Sequence, residues 1–400
     1  MPKTIAITPS WYWPASTTRV CGVPPFRLDE HLAGRWARRQ PDGLALVDGG
    51  TRLSWSELAG AVDAAAIGLR AQVPDGGRAL FTSGPSAEGV VLLLALARSG
   101  VPAVAAPPAT AATVAATAGA SVWVGDASGA AAAGSAGVGI LRLADVAVAP
   151  APGTVLPAPA IRAPLIGIPT EDSLAWHSSR SLLGAAVSMQ AYYSVEGGRP
   201  WLSTLDVSDW QGIVGAIVPL AAGATAVLAP PGEAALDAVA RESIGTSVWR
   251  LEHAFAATRE SKRQVKSIRG VQERVVLFTG RTFDPDQRRR VGKLFEAPAL
   301  TVFGLPETGP VFASHPSWYL DESVGIPISN AWVVPVDPRT ANPIPTLWEL
   351  VEKAMVTVGS ASLTVGYEGG AHAERFRDGR FLTGLIASSD ANGMIYLLPD

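Results

Sequence analysis

Along most of this chain, short runs rich in Val, Leu, Ile and Phe alternate with helix-length segments whose apolar residues recur at three- and four-residue spacing. Residues 78–82 read as a strand, 87–99 as a helix and 101–106 as a second strand. Strands joined through helices need crossover connections, so the order predicts a parallel sheet covered by helices. The order returns later: helix 181–193, strand 200–204, helix 212–221 and strand 225–229. Buried-type strands then follow at 274–278 and 299–303, on either side of a polar helix at 285–294.

Upstream, an irregular aromatic opening, Ser10-Trp11-Tyr12-Trp13-Pro14, precedes an amphipathic run at 31–39 that places Leu32, Ala33, Trp36 and Ala37 at helical spacing. Leu44, Ala45, Leu46 and Val47, then the glycine turn at Gly49-Gly50, then Leu53-Ser54-Trp55 have the form of a β-hairpin. Ser54 and Glu57 have the S-x-x-E spacing of a capping box, opening a helix that runs through Leu69. Residues 126–164 are rich in Ala, Gly and Pro, with 138–143 as one edge strand, and read as a junction. Beyond Gly309 the texture changes to short β segments at 331–336, 363–365 and 394–398. The expected fold is therefore α/β: two α/β lobes with parallel-type sheets, at 1–160 and 161–310, plus a small β-barrel-like subdomain at 311–400.

Composition excludes several functions. With 32 basic against 35 acidic residues there is no electrostatic footprint for nucleic acid. The lone Cys21 closes no internal disulfide, and five dispersed histidines do not make a structural zinc site. Apolar runs such as 90–97 fall far short of the ~20 residues that cross a bilayer, and the N-terminus lacks a basic segment leading into an apolar core. The reading is a cytoplasmic protein without a membrane partner. No G-x-S-x-G, H-E-x-x-H or strand-linked G-x-G-x-x-G is present, which leaves hydrolase, zincin and dinucleotide-binding readings without support.

Six ordered segments resemble the adenylate-forming superfamily of acyl-CoA synthetases, aryl-acid–AMP ligases and peptide-synthetase adenylation domains. Gln40-Pro41-Asp42-Gly43-Leu44-Ala45-Leu46-Val47 through Leu53-Ser54-Trp55-Ser56-Glu57-Leu58 is similar to the family opening, and Gly223-Ala224-Thr225 to A-G-A-T. Thr279-Gly280-Arg281 stands where the family has S-G-G/A. Val302-Phe303-Gly304-Leu305-Pro306-Glu307-Thr308-Gly309 resembles Y-G-x-T-E-T-G, and Val324-Gly325-Ile326-Pro327 resembles V-G-x-P. Val365-Gly366-Tyr367 and then Phe376-Arg377-Asp378-Gly379-Arg380-Phe381-Leu382-Thr383-Gly384-Leu385 resemble L-G-Y and F-x-D-G-W-x-x-T-G-D. The 101–108 stretch, with Ala106-Pro107-Pro108, leans toward the aryl-acid branch.

The resemblance implies a site. Glu307 and Thr308 would be catalytic, with Glu307 the Mg²⁺ ligand and Thr308 on the α-phosphate, and a tight loop shaped by Thr308 and Gly309 at a strand end is the competing reading. Phe303 would replace the aromatic that stacks on adenine, with Gly304, Thr279 and Gly280 beside it in the nucleotide site. Asp209 and Trp210 fall where relatives line the acyl pocket, and a solvent-side turn is the competing reading there. The implied ligands are ATP or AMP with Mg²⁺, or no nucleotide at all, together with a small carboxylic acid or acyl ligand. A carrier protein or partner enzyme is an implied partner, for which the basic cluster Ser261-Lys262-Arg263-Gln264-Val265-Lys266 with Arg269 offers a docking surface or merely a solvated face.

The resemblance also shows departures. A Gly/Ser/Thr-rich loop ending in P-K wraps the phosphates in the family. Here that place reads Leu165-Ile166-Gly167-Ile168-Pro169-Thr170-Glu171-Asp172-Ser173, in which two carboxylates should repel triphosphate and Thr170 to Ser173 would cap or turn into the following helix, with a remodelled nucleotide or metal site as the competing reading. Leu385 stands in place of the ribose-binding aspartate, and a leucine makes no hydrogen bond. The mobile C-terminal domain of relatives is expected to be absent. His177 and His315 read as structural. Three readings follow: a homologue impaired in adenylation that acts by binding a ligand or partner in biosynthesis, a true ligase completed by a C-terminal domain in trans, or an ATP-independent enzyme reusing the acyl pocket.

Overall fold

The computed structural model describes residue 13, residues 17–148, residue 156, and residues 158–260, 262–317, 320–344, 351–390 and 393–398. Ser10, Trp11, Tyr12 and Pro14 of the aromatic opening, and Ser261 of the basic cluster, lie outside the described residues.

Two α/β sheets and one antiparallel sheet make up the fold. In the nine-stranded sheet, Ala299–Leu305, Arg274–Phe278, Thr246–Arg250, Trp201–Ser203, Ala226–Leu228 and Leu44–Asp48 lie side by side and parallel. Antiparallel strands close both edges, Gly309–Ala313 and Ile326–Pro327 at one and Thr51–Ser54 at the other. The six-stranded sheet runs Gly366–Tyr367, Leu174–His177, Ile166–Pro169, Ala103–Ala105, Ala79–Thr82, Val122–Gly125. Its last four strands are parallel. Residues beyond 330 curl into an antiparallel sheet built on Ala331–Val336, Val351–Ser360 and Arg380–Ser389.

Chain order and sheet order differ. Leu44–Asp48 pairs with Ala226–Leu228, and Ile166–Pro169 pairs with Ala103–Ala105, so each α/β sheet takes strands from both sides of residue 160. The core explains why. Helices Trp55–Gln72, Ala87–Ser99 and Trp210–Ala222 supply buried side chains to one apolar cluster that also contains Leu46 and Leu228 from one sheet and Phe81 and Ile166 from the other. Helix Ala87–Ser99 is buried on nearly all sides, as its unbroken Val90–Ala97 apolar run requires, because it is packed between the two sheets. The capping box forms as the spacing predicts: Glu57 N–H donates to Ser54 Oγ at 3.3 Å and Ser54 N–H to the Glu57 carboxylate at 2.8 Å.

Three expected elements differ. Residues 138–143 make a single bridge, Leu141 to Val124, and then start helix Leu143–Val146, because the Leu143 amide and the Arg142 side chain both bind the Glu88 carboxylate instead of a strand. Residues 363–365 tie loops together: Thr364 N–H donates to Glu307 O and Val365 N–H to Trp176 O, and the strand is Gly366–Tyr367. Residues 165–173 do not run into a helix. They form one arm and the turn of a hairpin whose second arm is Leu174–His177, and helix Ser179–Tyr192 begins only after the Ser178 cap. Among the described residues no helix is long and apolar enough to cross a membrane.

Candidate functional site

Parallel register lines up one edge of the nine-stranded sheet. Arg250 is paired with Phe278, and Phe278 with Val302, so the carboxyl ends of three adjacent strands stand in a row with the loops that follow them. That edge is where open α/β sheets receive ligands. Asp206, Asp209 and Trp210 reach the same edge from the loop after Trp201–Ser203 and the first turn of helix Trp210–Ala222.

Asp209 is the N-cap residue of that helix, and its carboxylate pairs with Arg250. Trp210 packs edge-on against Phe278, ring centroids 5.5 Å apart. The structure therefore joins Asp209 and Trp210 to Arg250 and Phe278 in one contiguous wall. Asp206, which sequence reasoning passed over, adds a second carboxylate. That carboxylate has no hydrogen-bond partner among the described residues, and its pKa is pushed up to about 6, first by burial and then by the charge of Asp209, against the pull of Arg250. Asp209 is raised too, by burial, against the pull of Arg250. Ser208 holds this loop in place: its Oγ donates to Ser83 O and accepts from Ser83 N, each at 2.9 Å, which ties the two sheets together. The available signal was a pair of carboxylates, Asp206 and Asp209, inserted directly after an apolar strand.

The segment from Phe303 to Gly309 is a tight connection between antiparallel strands. Thr308 Oγ1 accepts from Leu305 N–H at 3.1 Å, and Thr308 N–H donates to Leu305 O at 3.1 Å. Outside partners take the remaining carbonyls. Ser362 Oγ donates to Thr308 O at 2.6 Å, Thr364 N–H donates to Glu307 O at 2.8 Å, and His177 Nε2 donates to Pro306 O at 2.6 Å. Burial holds the His177 pKa down to about 4, so the ring is neutral and carries its proton on the nitrogen facing Pro306. Gly304 is required here, since a Cβ would lie 2.0 Å from Gly309 O.

The Glu307 side chain turns toward the antiparallel sheet. Its Oε1 accepts from Tyr367 Oη at 2.7 Å and lies 3.9 Å from Arg375 Nη1, which also donates to Tyr367 Oη at 3.0 Å. Burial and the neighbouring Glu307 carboxylate raise the Tyr367 phenol, so it remains a donor. Neither Tyr367 nor Arg375 was among the expected site residues, because the contact spans 60 positions and no local pattern encodes it.

Phe303 is 4% exposed and stacks on Phe312 at 6.3 Å, in a cluster that includes Leu385. Thr279 is buried, with its amide on Val302 O at 3.0 Å, while Gly280 is exposed and a Cβ there would lie 3.6 Å from Thr282 O. Thr279 and Gly280 thus follow Phe278 along the same edge, while the rings and carboxylate of Phe303 and Glu307 are committed to internal partners. No group of three or more His, Cys, Asp and Glu side chains among the described residues is arranged to hold a metal ion.

The turn at residues 170–173 also consumes its own polar groups. Thr170 N–H and Oγ1 both donate to Ser173 O at 2.9 Å, and Ser173 N–H donates back to Thr170 Oγ1 at 3.2 Å. Glu171 and Asp172 at its tip are exposed.

The sequence matches the family described as AMP-binding enzyme over residues 34–138 and 174–367. No curated protein matches it. Among solved structures, the fold resembles that of a long-chain-fatty-acid-CoA ligase (FadD1) from Archaeoglobus fulgidus, with a TM-score of 0.82 at 12% identity over 96% of this chain and 86% of that one. It resembles the amide bond synthetase McbA from Marinactinospora thermotolerans, with a TM-score of 0.79 at 21% identity over 94% of this chain and 79% of that one. It resembles ATP-bound MatB from Rhodopseudomonas palustris, with a TM-score of 0.76 at 19% identity over 93% of this chain and 78% of that one.

Proposed function

This chain belongs to the family of AMP-binding enzymes, and from that premise we propose that it binds a small carboxylic acid that also bears an amino group, while ATP-dependent activation of that acid is impaired. The ligand would lie along the carboxyl edge of the nine-stranded sheet, against Trp210 and Phe278.

The observation that carries the impairment is the hairpin at residues 166–177. Phosphate cradles work by pointing several free backbone N–H groups at one anion. In this turn the Thr170 and Ser173 amides are spent on each other, and the exposed tip carries Glu171 and Asp172, which oppose a polyanion. Two further features support the reading. A hard divalent cation needs free carboxylate oxygens, and one Glu307 oxygen already accepts from Tyr367 with a guanidinium nearby, so this residue does not fit Mg²⁺ as it stands. Phe303 and Leu385 pack into each other's apolar cluster, leaving neither an adenine platform nor a ribose acceptor.

The amino-acid part of the reading rests on Asp206. A partly buried carboxylate without a donor, whose charge Arg250 offsets only in part, gains from an ammonium group placed beside it. Arg250 is already held by Asp209, so the net charge of the wall is negative and favours the amino end of a ligand there.

Calorimetry with pyrophosphate exchange tests the first half, and a thermal-shift panel the second. Titration with Mg·ATP should give no heat at micromolar concentrations, and amino-acid-dependent pyrophosphate exchange should be absent. Micromolar ATP binding refutes the impairment. In a thermal-shift panel, amino acids should stabilise the protein where the same acids lacking the amino group do not, and an equal response to both sinks the role given to Asp206.

A further inference from the structure

The opposite edge of the nine-stranded sheet carries two adjoining cavities, of about 470 and 270 Å³, that share Ser194, Val195 and Glu196. The smaller opens at the first residues of the strands, Trp201, Thr246 and Arg274. The larger lies between the C-terminal ends of helices Ser179–Tyr192 and Trp210–Ala222 and the helical segment at 30–39. Both helices begin on the side of the candidate site, so this is the far end of the molecule from it. A volume near 470 Å³ is in the range of small-molecule pockets.

The walls are rich in hydrogen-bond donors that have no acceptor. His31 is 3% exposed, and its Nδ1 has no partner among the described residues. Arg35 Nε is buried and unpartnered, and among the described residues no carboxylate pairs with this guanidinium, which lies 4.2 Å from the Trp36 ring centroid and spends Nη2 on Ala221 O at 2.9 Å. In the wall of the adjoining cavity the Trp201 indole N–H is also buried without a partner. Buried polar groups are almost always satisfied, so three unmet groups in the walls of one pair of cavities point to an acceptor-bearing occupant. Val187, Val195 and Trp36 give the larger cavity an apolar side.

We propose that the larger cavity binds an organic monocarboxylate with an apolar body, its carboxylate taken by Arg35 and His31 and its body laid against Trp36, Val187 and Val195. The choice of a monoanion follows from the setting. Two helices end here, and the negative ends of their dipoles, with the Glu196 carboxylate in the same wall, oppose a doubly charged phosphate more than a carboxylate. A planar guanidinium also matches a carboxylate in two-pronged geometry. The site is independent of the amino-acid reading, since it shares no residue with Asp206, Asp209 or Trp210.

The test uses the full chain labelled at its five histidines, with the His31 ring signals assigned by a His31→Gln variant and followed during titration with benzoate. Saturable movement of the His31 signals is expected, and Arg35→Gln should weaken the apparent affinity by at least about tenfold while the protein remains folded. Benzoate that leaves His31 unmoved, or that binds Arg35→Gln as it binds the parent, overturns the assignment. Inorganic phosphate that moves His31 at equal or lower concentration overturns the choice of a monocarboxylate. If Arg35→Gln does not fold, Arg35→Lys keeps the charge but not the fork and should weaken benzoate about threefold or more. Unchanged affinity in that variant overturns the assignment as well.

Discussion

Replacing Asp206 by Asn should make the protein more stable at neutral pH and no more stable in acid. The Asp206 carboxyl titrates at about 6 in the folded chain against 3.8 for an unperturbed group, so the folded state resists its ionisation. Between those values the native state holds more protons than the unfolded one, and stability falls as pH rises through the window. Below 3.8 both states are protonated and the penalty is absent; above about 6 both are ionised and it is present in full. A displacement of this size is worth about 3 kcal/mol at ~1.4 kcal/mol per pH unit. Asp206 keeps part of its surface in water, and screening reduces the figure to about 1–2 kcal/mol. Asn keeps the shape and removes the charge. Urea unfolding of both proteins at pH 7.5 should separate their free energies by about 1–2 kcal/mol in favour of Asp206→Asn, shrinking to within ~0.5 kcal/mol near pH 3.5. A variant that is no more stable than the parent at pH 7.5, or whose gain is equal at both pH values, refutes the account of Asp206 as a carboxylate whose charge is offset only in part. The same variant should lose the stabilisation by amino acids, so this position exchanges stability for ligand recognition.

Tyr367→Phe removes the hydroxyl that donates to Glu307 at 2.7 Å and leaves the carboxylate with Arg375 at 3.9 Å; a loss of about 1.5–3 kcal/mol in urea unfolding is expected, and an effect under ~0.5 kcal/mol shows that the contact carries no stability. Gly304→Ala drives a Cβ into Gly309 O and should cost about 1–3 kcal/mol by the same measurement. Gly60→Ala is its control: Gly60 lies inside helix Trp55–Gln72 with nothing within 4 Å of the added atom, and the change should stabilise by about 0.5–1 kcal/mol. Ser54→Ala breaks the capping box at the start of that helix and should lower stability by about 1 kcal/mol in thermal or chemical unfolding.

The sequence by itself determined the kind of layers this protein has. Helix Ala87–Ser99, strand Arg274–Phe278 and strand Ala331–Val336 stand where periodicity put them, and the Ser54 capping box formed, because each depends on residues within a few positions of one another. Ordered motifs likewise sufficed for the family, and they brought attention to Asp209, Trp210 and the loop around Glu307. Local pattern could not decide which sheet a strand joins: Leu44–Asp48 looks the same as a hairpin arm whether its other neighbour is 226–228 or a strand of the six-stranded sheet. The tertiary structure decided that, since only one placement buries helices Trp55–Gln72 and Ala87–Ser99 between two sheets. It also decided what the site residues do with their polar atoms. Asp209 meets Arg250 across 41 positions, Glu307 meets Tyr367 across 60, and the Asp206 carboxylate meets no donor among the described residues. Charge and hydrogen-bond capacity are written in the sequence residue by residue, but whether they are satisfied depends on partners that only chain crossing brings within 3 Å.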